Sequence, residues 1–231
     1  MEFLEILYGS LVLILSFDYE LYQIIFLSLR TSLLATFFGS IIGILTAYIL
    51  VIYQFRLKSV IIISFASLMG VPPVVVGLIV YYLFSQSGPL GLFSILFTPY
   101  VMIIAQIIIV YPIVSSLTRE LFQDFWDNYK QQFRSQNIPM LAILYTFLKN
   151  TYGLIITVLL SAFGRAISEV GAVMIVGGNI EHYTRVMTTA IALETSIGNL
   201  QKAMSLGIIL IIITMIINGL MFKLKRKNGI N

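Results

Sequence analysis

The feature that most constrains this chain is the length of its uncharged stretches. Residues 59–118, sixty in succession, contain no Asp, Glu, Lys or Arg, and neither do residues 31–55 or 203–222. Charged residues make up 10% of the chain and hydrophobic residues 59%, whereas a soluble domain carries about 25% charged residues. Too few charges remain to cover a surface that faces water. The sequence therefore predicts an all-α membrane protein and disfavours a soluble enzyme, a nucleic-acid-binding protein and a disordered linker.

The uncharged stretches also predict the number of membrane spans. Crossing about 30 Å of hydrocarbon takes about 20 apolar residues in a helix. This criterion predicts five spanning helices, at residues 26–53 (helix 1), 59–84 (helix 2), 98–117 (helix 3), 150–177 (helix 4) and 203–222 (helix 5). Between helices 2 and 3, the sequence SQSGPLG indicates a turn.

The basic residues indicate the orientation, because short cytoplasmic loops are enriched in Lys and Arg. With five spans, one side receives ten of the fourteen basic residues, namely Arg56, Lys58, Arg119, Lys130, Arg134, Lys149, Lys223, Lys225, Arg226 and Lys227. The other side has only Arg185 and Lys202 between its spans. We therefore expect a multi-pass membrane protein with the N-terminus outside and the C-terminus in the cytoplasm.

The N-terminal segment is apolar but short for a span. Leu4, Leu7, Leu11 and Ile14 recur at helical spacing, without the basic start or cleavage site of a secretory signal. An amphipathic helix at the membrane interface fits this pattern, and a sixth span is the alternative. The predicted division is an interfacial segment at 1–23, a transmembrane domain at 24–227 with a cytoplasmic loop at about 118–149, and a tail at 228–231.

A stripe of small residues marks one face of helix 1. Ala35, Gly39, Gly43 and Ala47 follow one another at i+4 spacing. Lipid gives helices no hydrophobic reason to associate, so close backbone contact through small residues must hold them together. We expect a helix–helix seam along this stripe.

Helix 2 contains Pro72 and Pro73 near its middle. Proline lacks a backbone N–H and disrupts a helix, and in a membrane the freed carbonyls need partners from protein or from a wet cavity. The break has two interpretations: it lines a transport pathway, or it is a kink that only shapes packing.

Arg165 and Glu169 lie well within predicted helix 4. Ionisable groups inside a span are costly and indicate function by default. The i,i+4 spacing places both on one face, where they can pair, although Arg before Glu is the less favourable order. Either the pair only orients helix 4, or it acts in the pathway or its gate.

The predicted cytoplasmic loop has an aromatic face at helical spacing. Phe122, Phe125, Trp126 and Tyr129 are interspersed with charged residues, and the sequence NIP that begins at Asn137 indicates a turn. A helix of this kind lies on the bilayer surface or docks into a partner's groove, and the residues favour neither.

Catalytic chemistry has little support in the sequence. The chain has no cysteine and one histidine, His182, which disfavours thiol chemistry and His-rich metal sites. The P-loop, HExxH and GxSxG motifs are absent. We therefore expect no catalytic residue, metal or cofactor, and the residues by themselves favour a transporter, a channel or a scaffold.

Several segments, in order along nearly the whole chain, resemble the permease subunits of bacterial ABC importers of the tungstate type, and less closely those for molybdate and sulfate. The most specific are residues 72–78 (PPVVVGL), 87–91 (SGPLG), 163–174 (FGRAISEVGAVM) and 176–180 (VGGNI). The resemblance implies a type I importer fold with a five-helix core. It also implies a homodimer of permeases around one pathway, cytoplasmic ATP-binding subunits, and an extracytoplasmic protein that delivers the oxyanion.

The resemblance places the family's ATPase-coupling segment at Gln131, Gln132, Phe133 and Asn137. This sequence departs from the family pattern Glu-Ala-Ala-x-x-x-Gly, and Asn137 stands where the glycine is expected. Asparagine also visits the left-handed backbone region, so we expect the turn to persist. The departure puts coupling to a standard ATPase partner in doubt.

The first hypothesis is therefore an oxyanion permease, with tungstate ahead of molybdate or sulfate. The alternative is a stand-alone channel or secondary transporter. Secondary transporters often have two related halves and acids at the midplane, whereas this sequence shows no repeat and only Glu169. Because Glu169 neutralises Arg165, we expect selectivity to come mainly from the binding protein.

Overall fold

The computed structural model describes residues 2–227 and the side chains of residues 3–224. The described chain forms nine α-helices and one short 3-10 turn (Gly91–Phe93), and it contains no β-strand. The helices are α1 (Glu2–Leu15), α2 (Tyr19–Ile52), α3 (Lys58–Met69), α4 (Pro73–Phe84), α5 (Pro99–Ser135), α6 (Met140–Ile167), α7 (Gly171–Gly177), α8 (Met187–Ser196) and α9 (Leu200–Lys227). The predicted all-α class is confirmed.

The long helices account for the predicted membrane spans. Helices α2, α5, α6 and α9 are each long and apolar enough to cross a membrane. Helices α3 and α4 meet that criterion only as a pair, and the chain bends by 105° between them. With the pair counted as one span, the described residues supply the five predicted spans of a multi-pass membrane protein.

The break predicted near the middle of residues 59–84 is present, and it divides this span into two helices. Gly70 ends α3, Pro72 takes an extended conformation as the N-cap of α4, and Pro73 is the first residue of α4. Proline is tolerated at this position because the first helical N–H groups have no partner in any case. The prolines therefore start a new helix instead of kinking a continuous one.

The predicted start of helix 1, residue 26, is wrong by seven residues. Asp18 is the N-cap of α2, and its carboxylate accepts a hydrogen bond of 2.9 Å from the backbone N–H of Leu21. A capping carboxylate satisfies one of the unpaired donors at the helix start. As a result α2 begins at Tyr19, and Arg30 lies well inside it.

The bounds predicted for helices 3 and 4 are also wrong. Helix α5 continues to Ser135 instead of ending at 117, because its amphipathic extension packs against the same chain. Helix α6 begins at Met140, directly after Pro139, and ends at Ile167. Predicted helix 4 is thus interrupted at residues 168–170 before the short helix α7.

The stripe of small residues on α2 lies against α5. Ala35, Gly39, Gly43 and Ala47 are all buried. A Cβ added to Gly43 would come within 2.9 Å of the Cβ of Val114, and one added to Gly39 within 3.1 Å of a Val110 methyl. The two helices therefore run in parallel at a separation that only very small residues permit.

Helix α1 packs against the first turns of α9. The hydroxyl of Ser10 donates to the carbonyl of Gln201 at 2.9 Å, and the hydroxyl of Ser205 donates to the carbonyl of Ser10 at 3.2 Å. With 14 residues, α1 is shorter than the roughly 20 residues that a span requires. Leu4 and Leu15 on its other side are exposed.

Candidate functional site

The two interruptions of the spanning helices lie next to each other. Helix α4 begins beside helix α7, and a Cβ added to Gly77 would come within 2.6 Å of the Cα of Ala172. A Cβ added to Gly171 would collide with the side chain of Val74. The break at Pro72 thus faces the break after α6, and the two predicted features form one site.

An ion pair bridges the break between α6 and α7. The Nη1 of Arg165, in the last turn of α6, donates to Oε2 of Glu169 at 2.7 Å. The other carboxylate oxygen of Glu169 accepts from the backbone N–H of Ala172 at 3.1 Å. Glu169 therefore neutralises Arg165 and also satisfies a free donor at the start of α7.

The two partners differ in their access to solvent. The side chain of Glu169 is 3% exposed, and that of Arg165 is 35% exposed. The backbone carbonyl of Glu169 accepts a further hydrogen bond of 2.7 Å from the hydroxyl of Thr188 on α8. Glu169 is fixed from three sides, whereas one side of the guanidinium is open.

Gln106 on α5 completes the support of this site. Its Nε2 donates to the carbonyl of Ala166 at 3.1 Å, a group in the last turn of α6 that also accepts from the backbone N–H of Glu169. Its Oε1 is buried and has no partner among the described residues. The sequence contains no signal for this contact, because Gln106 and Ala166 are sixty residues apart.

The arrangement joins three helix ends through a few polar contacts and close glycine packing. Neighbouring helix ends connected in this way can change their relative angle with little loss of apolar packing. The positive charge of Arg165 at this site is balanced by the carboxylate of Glu169. Because the pair is neutral as a whole, it offers an anion no net charge.

The aromatic face of the predicted cytoplasmic loop is covered by the same chain. Phe122, Trp126 and Phe133 are buried with Phe147 of α6 and Tyr48 of α2. The planes of the Trp126 and Phe133 rings are nearly parallel, with centroids 6.0 Å apart. The buried part of this face therefore lies neither on the bilayer surface nor in a partner's groove, because α2 and α6 cover it.

The remaining residues of the expected coupling segment face outward. Phe125 is half-buried, and Tyr129, Gln131, Gln132 and Asn137 are exposed. Asn137 has φ +49°, the left-handed conformation expected for the residue that replaces glycine. The end of α5 and the turn into α6 thus combine a buried aromatic side with an exposed and mostly polar tip.

A network of ion pairs lies at the opposite end of the molecule, near the start of α2. The Nζ of Lys202 contacts Glu20 at 2.5 Å and Glu194 at 3.2 Å, and Arg185 Nη1 lies 3.8 Å from Glu20. The side chain of Glu194 is only 5% exposed. These contacts tie α2, α8 and α9 together, and no local sequence pattern predicts the contact between Lys202 and Glu20, which are 182 residues apart.

Five candidate spans and two apposed helix breaks are the architecture of a polytopic membrane protein. No protein-family model matches the chain. The chain is 37% identical over 219 residues to the tungstate uptake system permease protein TupB of Peptoclostridium acidaminophilum, covering 95% of this chain and 96% of that protein.

Two further relatives agree with this match. The tungstate uptake system permease protein TupB of Campylobacter jejuni is 38% identical over 174 residues, which cover 75% of this chain and 73% of that protein. A protein of Haloferax volcanii named a probable anion ABC transporter permease protein is 38% identical over 199 residues, 84% of this chain and 85% of the relative. The chain belongs to this family of ABC transporter permeases, which are membrane subunits and not themselves catalytic.

Proposed function

We propose that this chain is the transmembrane subunit of an ATP-driven importer that passes tungstate across the cell membrane. The observation that carries the proposal is the 37% identity, over 95% of the chain, to a permease named for tungstate uptake. The apposed breaks at Pro72 and Glu169 support it, because alternating access needs helices that change angle without unpacking.

The partners follow from the same proposal. A second copy of the chain completes the pathway, a separate cytoplasmic subunit hydrolyses ATP, and an extracytoplasmic protein delivers the oxyanion. The exposed apolar surface of α3 and α4 supports a neighbour in the membrane, since α3 has no buried residue and α4 has only Gly77 and Val80. The N-terminal segment at 1–23 lies at the interface, and residues 24–227 form the transport unit.

The proposed orientation places the N-terminus outside and the C-terminus in the cytoplasm. Contacts within the chain place the starts of α2 and α9 at one end and the end of α5 with the start of α6 at the other. The excess of Lys and Arg near the α5–α6 end supports a cytoplasmic location for that end. Because the chain has no cysteine, single-cysteine reporters test it directly. An impermeant maleimide added to intact cells should label Ser87→Cys and leave Lys130→Cys unlabelled, and the reverse pattern would overturn the orientation.

The proposed gate consists of Arg165 and Glu169 together with the proline-initiated α4. The exposed side of Arg165 supports transient contact with a passing anion, while Glu169 prevents tight binding. Selectivity then resides mainly in the delivery protein, as the neutralised charge suggests.

The proposed ATPase contact is the exposed tip formed by Tyr129, Gln131, Gln132 and Asn137. Phe122, Phe125, Trp126 and Phe133 hold the tip in place from behind. The continuous helix α5 supports coupling, because it connects this tip to Gln106, which contacts the end of α6.

The experiment that tests the function is ATP-driven uptake by the reconstituted permease, ATP-binding subunit and binding protein. We expect accumulation of labelled tungstate inside proteoliposomes only when ATP and all three components are present. Accumulation without the ATP-binding subunit would favour a channel or secondary transporter. A preference for molybdate or sulfate would change the assigned substrate within the same class.

A further inference from the structure

Arg30 occupies an unusual position for an arginine in this chain. It lies inside α2, ten residues after Glu20, which corresponds to about 15 Å along the helix axis. The side chain is exposed, and none of the described acidic side chains forms an ion pair with it. By contrast, Arg165 and Arg185 both lie within 4 Å of carboxylates.

Arg30 lines a cavity of about 240 Å³ between α2, the start of α5 and the loop before α8. This volume is several times the roughly 30 Å³ that one water molecule takes up in the liquid. Tyr100 and Tyr183 also line the cavity, and the remaining walls are mostly apolar. Both tyrosines are exposed, so the cavity opens to the surface of the protein. No carboxylate lines it, so nothing in its wall neutralises the guanidinium.

The start of α5 adds positive potential to the same cavity. Pro99 and Tyr100, the first two residues of α5, are among its walls. Thr98 makes no side-chain cap hydrogen bond, so the first N–H groups of a 37-residue helix lack a capping acceptor. The aligned peptide dipoles place partial positive charge at this end.

We propose that this cavity binds a tetrahedral oxyanion, with Arg30 as the charged ligand and the phenols of Tyr100 and Tyr183 as hydrogen-bond donors. The guanidinium presents a planar fork of donors that matches two oxygens of such an anion. The same chemistry is offered by a free oxyanion arriving from outside and by the phosphate of a lipid headgroup. Only the free-ion source rests on the proposed transport function.

Binding to the purified full-length permease in a detergent free of phospholipid separates the two sources. One arm measures labelled tungstate by equilibrium dialysis, and the other measures phosphatidylglycerol by native mass spectrometry. The variants are Arg30→Gln, Arg30→Lys, Tyr100→Phe and Tyr183→Phe. The matched control is Arg56→Gln, which removes an exposed arginine at the opposite end of the molecule.

We expect Arg30→Gln to lower the affinity for at least one probe about tenfold or more, because charge-assisted hydrogen bonds are stronger than neutral ones. Arg30→Lys should lose less, because it keeps the charge but not the fork, and each Phe variant should lose a few-fold. If only tungstate binding is weakened, the cavity is a site for the free ion. If only lipid binding is weakened, it is a headgroup site, and if both are weakened, the two ligands share it. The Arg56→Gln control should bind both probes like the wild type.

The inference is overturned if the wild type binds neither probe, or if the Arg30 variants bind both probes as the control does. Should Arg30→Gln not fold, the Arg30→Lys and Tyr100→Phe variants decide by the same criterion. The result is independent of the proposed function. A permease that imports tungstate but shows no Arg30-dependent binding refutes this site alone, and one that binds lipid through Arg30 but imports no tungstate refutes the function alone.

Discussion

Removing either partner of the Arg165–Glu169 pair should have unequal effects on stability. Arg165→Met leaves a carboxylate that is 3% exposed without its counter-charge, which costs about 3–5 kcal/mol for a buried pair. Glu169→Gln leaves a guanidinium that is 35% exposed and can reach water, and the amide oxygen can still accept from Ala172. The loss is then that of one charge-assisted hydrogen bond, about 1.5–3 kcal/mol. We expect Arg165→Met to be the more destabilising by about 2 kcal/mol.

The double variant provides the decisive measurement. Arg165→Met with Glu169→Gln removes both charges, so it should be more stable than Arg165→Met alone, with a coupling energy of about 1 kcal/mol or more. Unfolding of the purified permease in detergent gives the three free-energy changes, and Arg134→Met, at an exposed position, serves as the control. Equal losses for the two single variants, or losses that simply add, would refute the account of a buried acid held by a half-open base.

Transport by the same variants separates the gate from a purely structural pair. If Arg165 acts in the pathway, cells that carry Arg165→Ala should lose uptake of labelled tungstate even where the protein reaches the membrane in normal amounts. Uptake equal to that of the wild type would end the pathway role of Arg165 and leave the structural one.

Three further predictions concern packing, the ion network and coupling. Gly43→Ala should cost about 1–3 kcal/mol in unfolding measurements by overpacking against α5, whereas Gly219→Ala, with open space around its added Cβ, should cost nothing. Lys202→Met should destabilise by about 3–5 kcal/mol in the same assay, because it leaves a buried glutamate unpaired, and an unchanged midpoint would show that the network is unimportant. Trp126→Ala should cost about 3–5 kcal/mol, while Tyr129→Ala, which is exposed, should keep the stability and lower transport-coupled ATP hydrolysis; normal coupling would exclude the tip as the ATPase contact.

The sequence by itself determined the class of this protein and its layout. The charge-free stretches required helices in lipid, since only hydrogen-bonded helices satisfy the backbone there. The stripe of small residues on α2 predicted a close helix contact, and the prolines at residues 72–73 predicted a break. Both predictions were possible because these residue types act through the backbone, whatever their partners are.

Only the tertiary structure decided how these features combine. The sequence does not reveal that the break at Pro72 lies beside the one at Glu169, that Gln106 supports the end of α6, or that Lys202 contacts Glu20, because each contact links segments far apart in the chain. The aromatic face of α5 has the same pattern whether its cover is lipid, a partner or its own chain, and packing against Tyr48 and Phe147 settled the choice. Local patterns specify helices and their ends, but the energy of a contact depends on which surfaces the fold brings together.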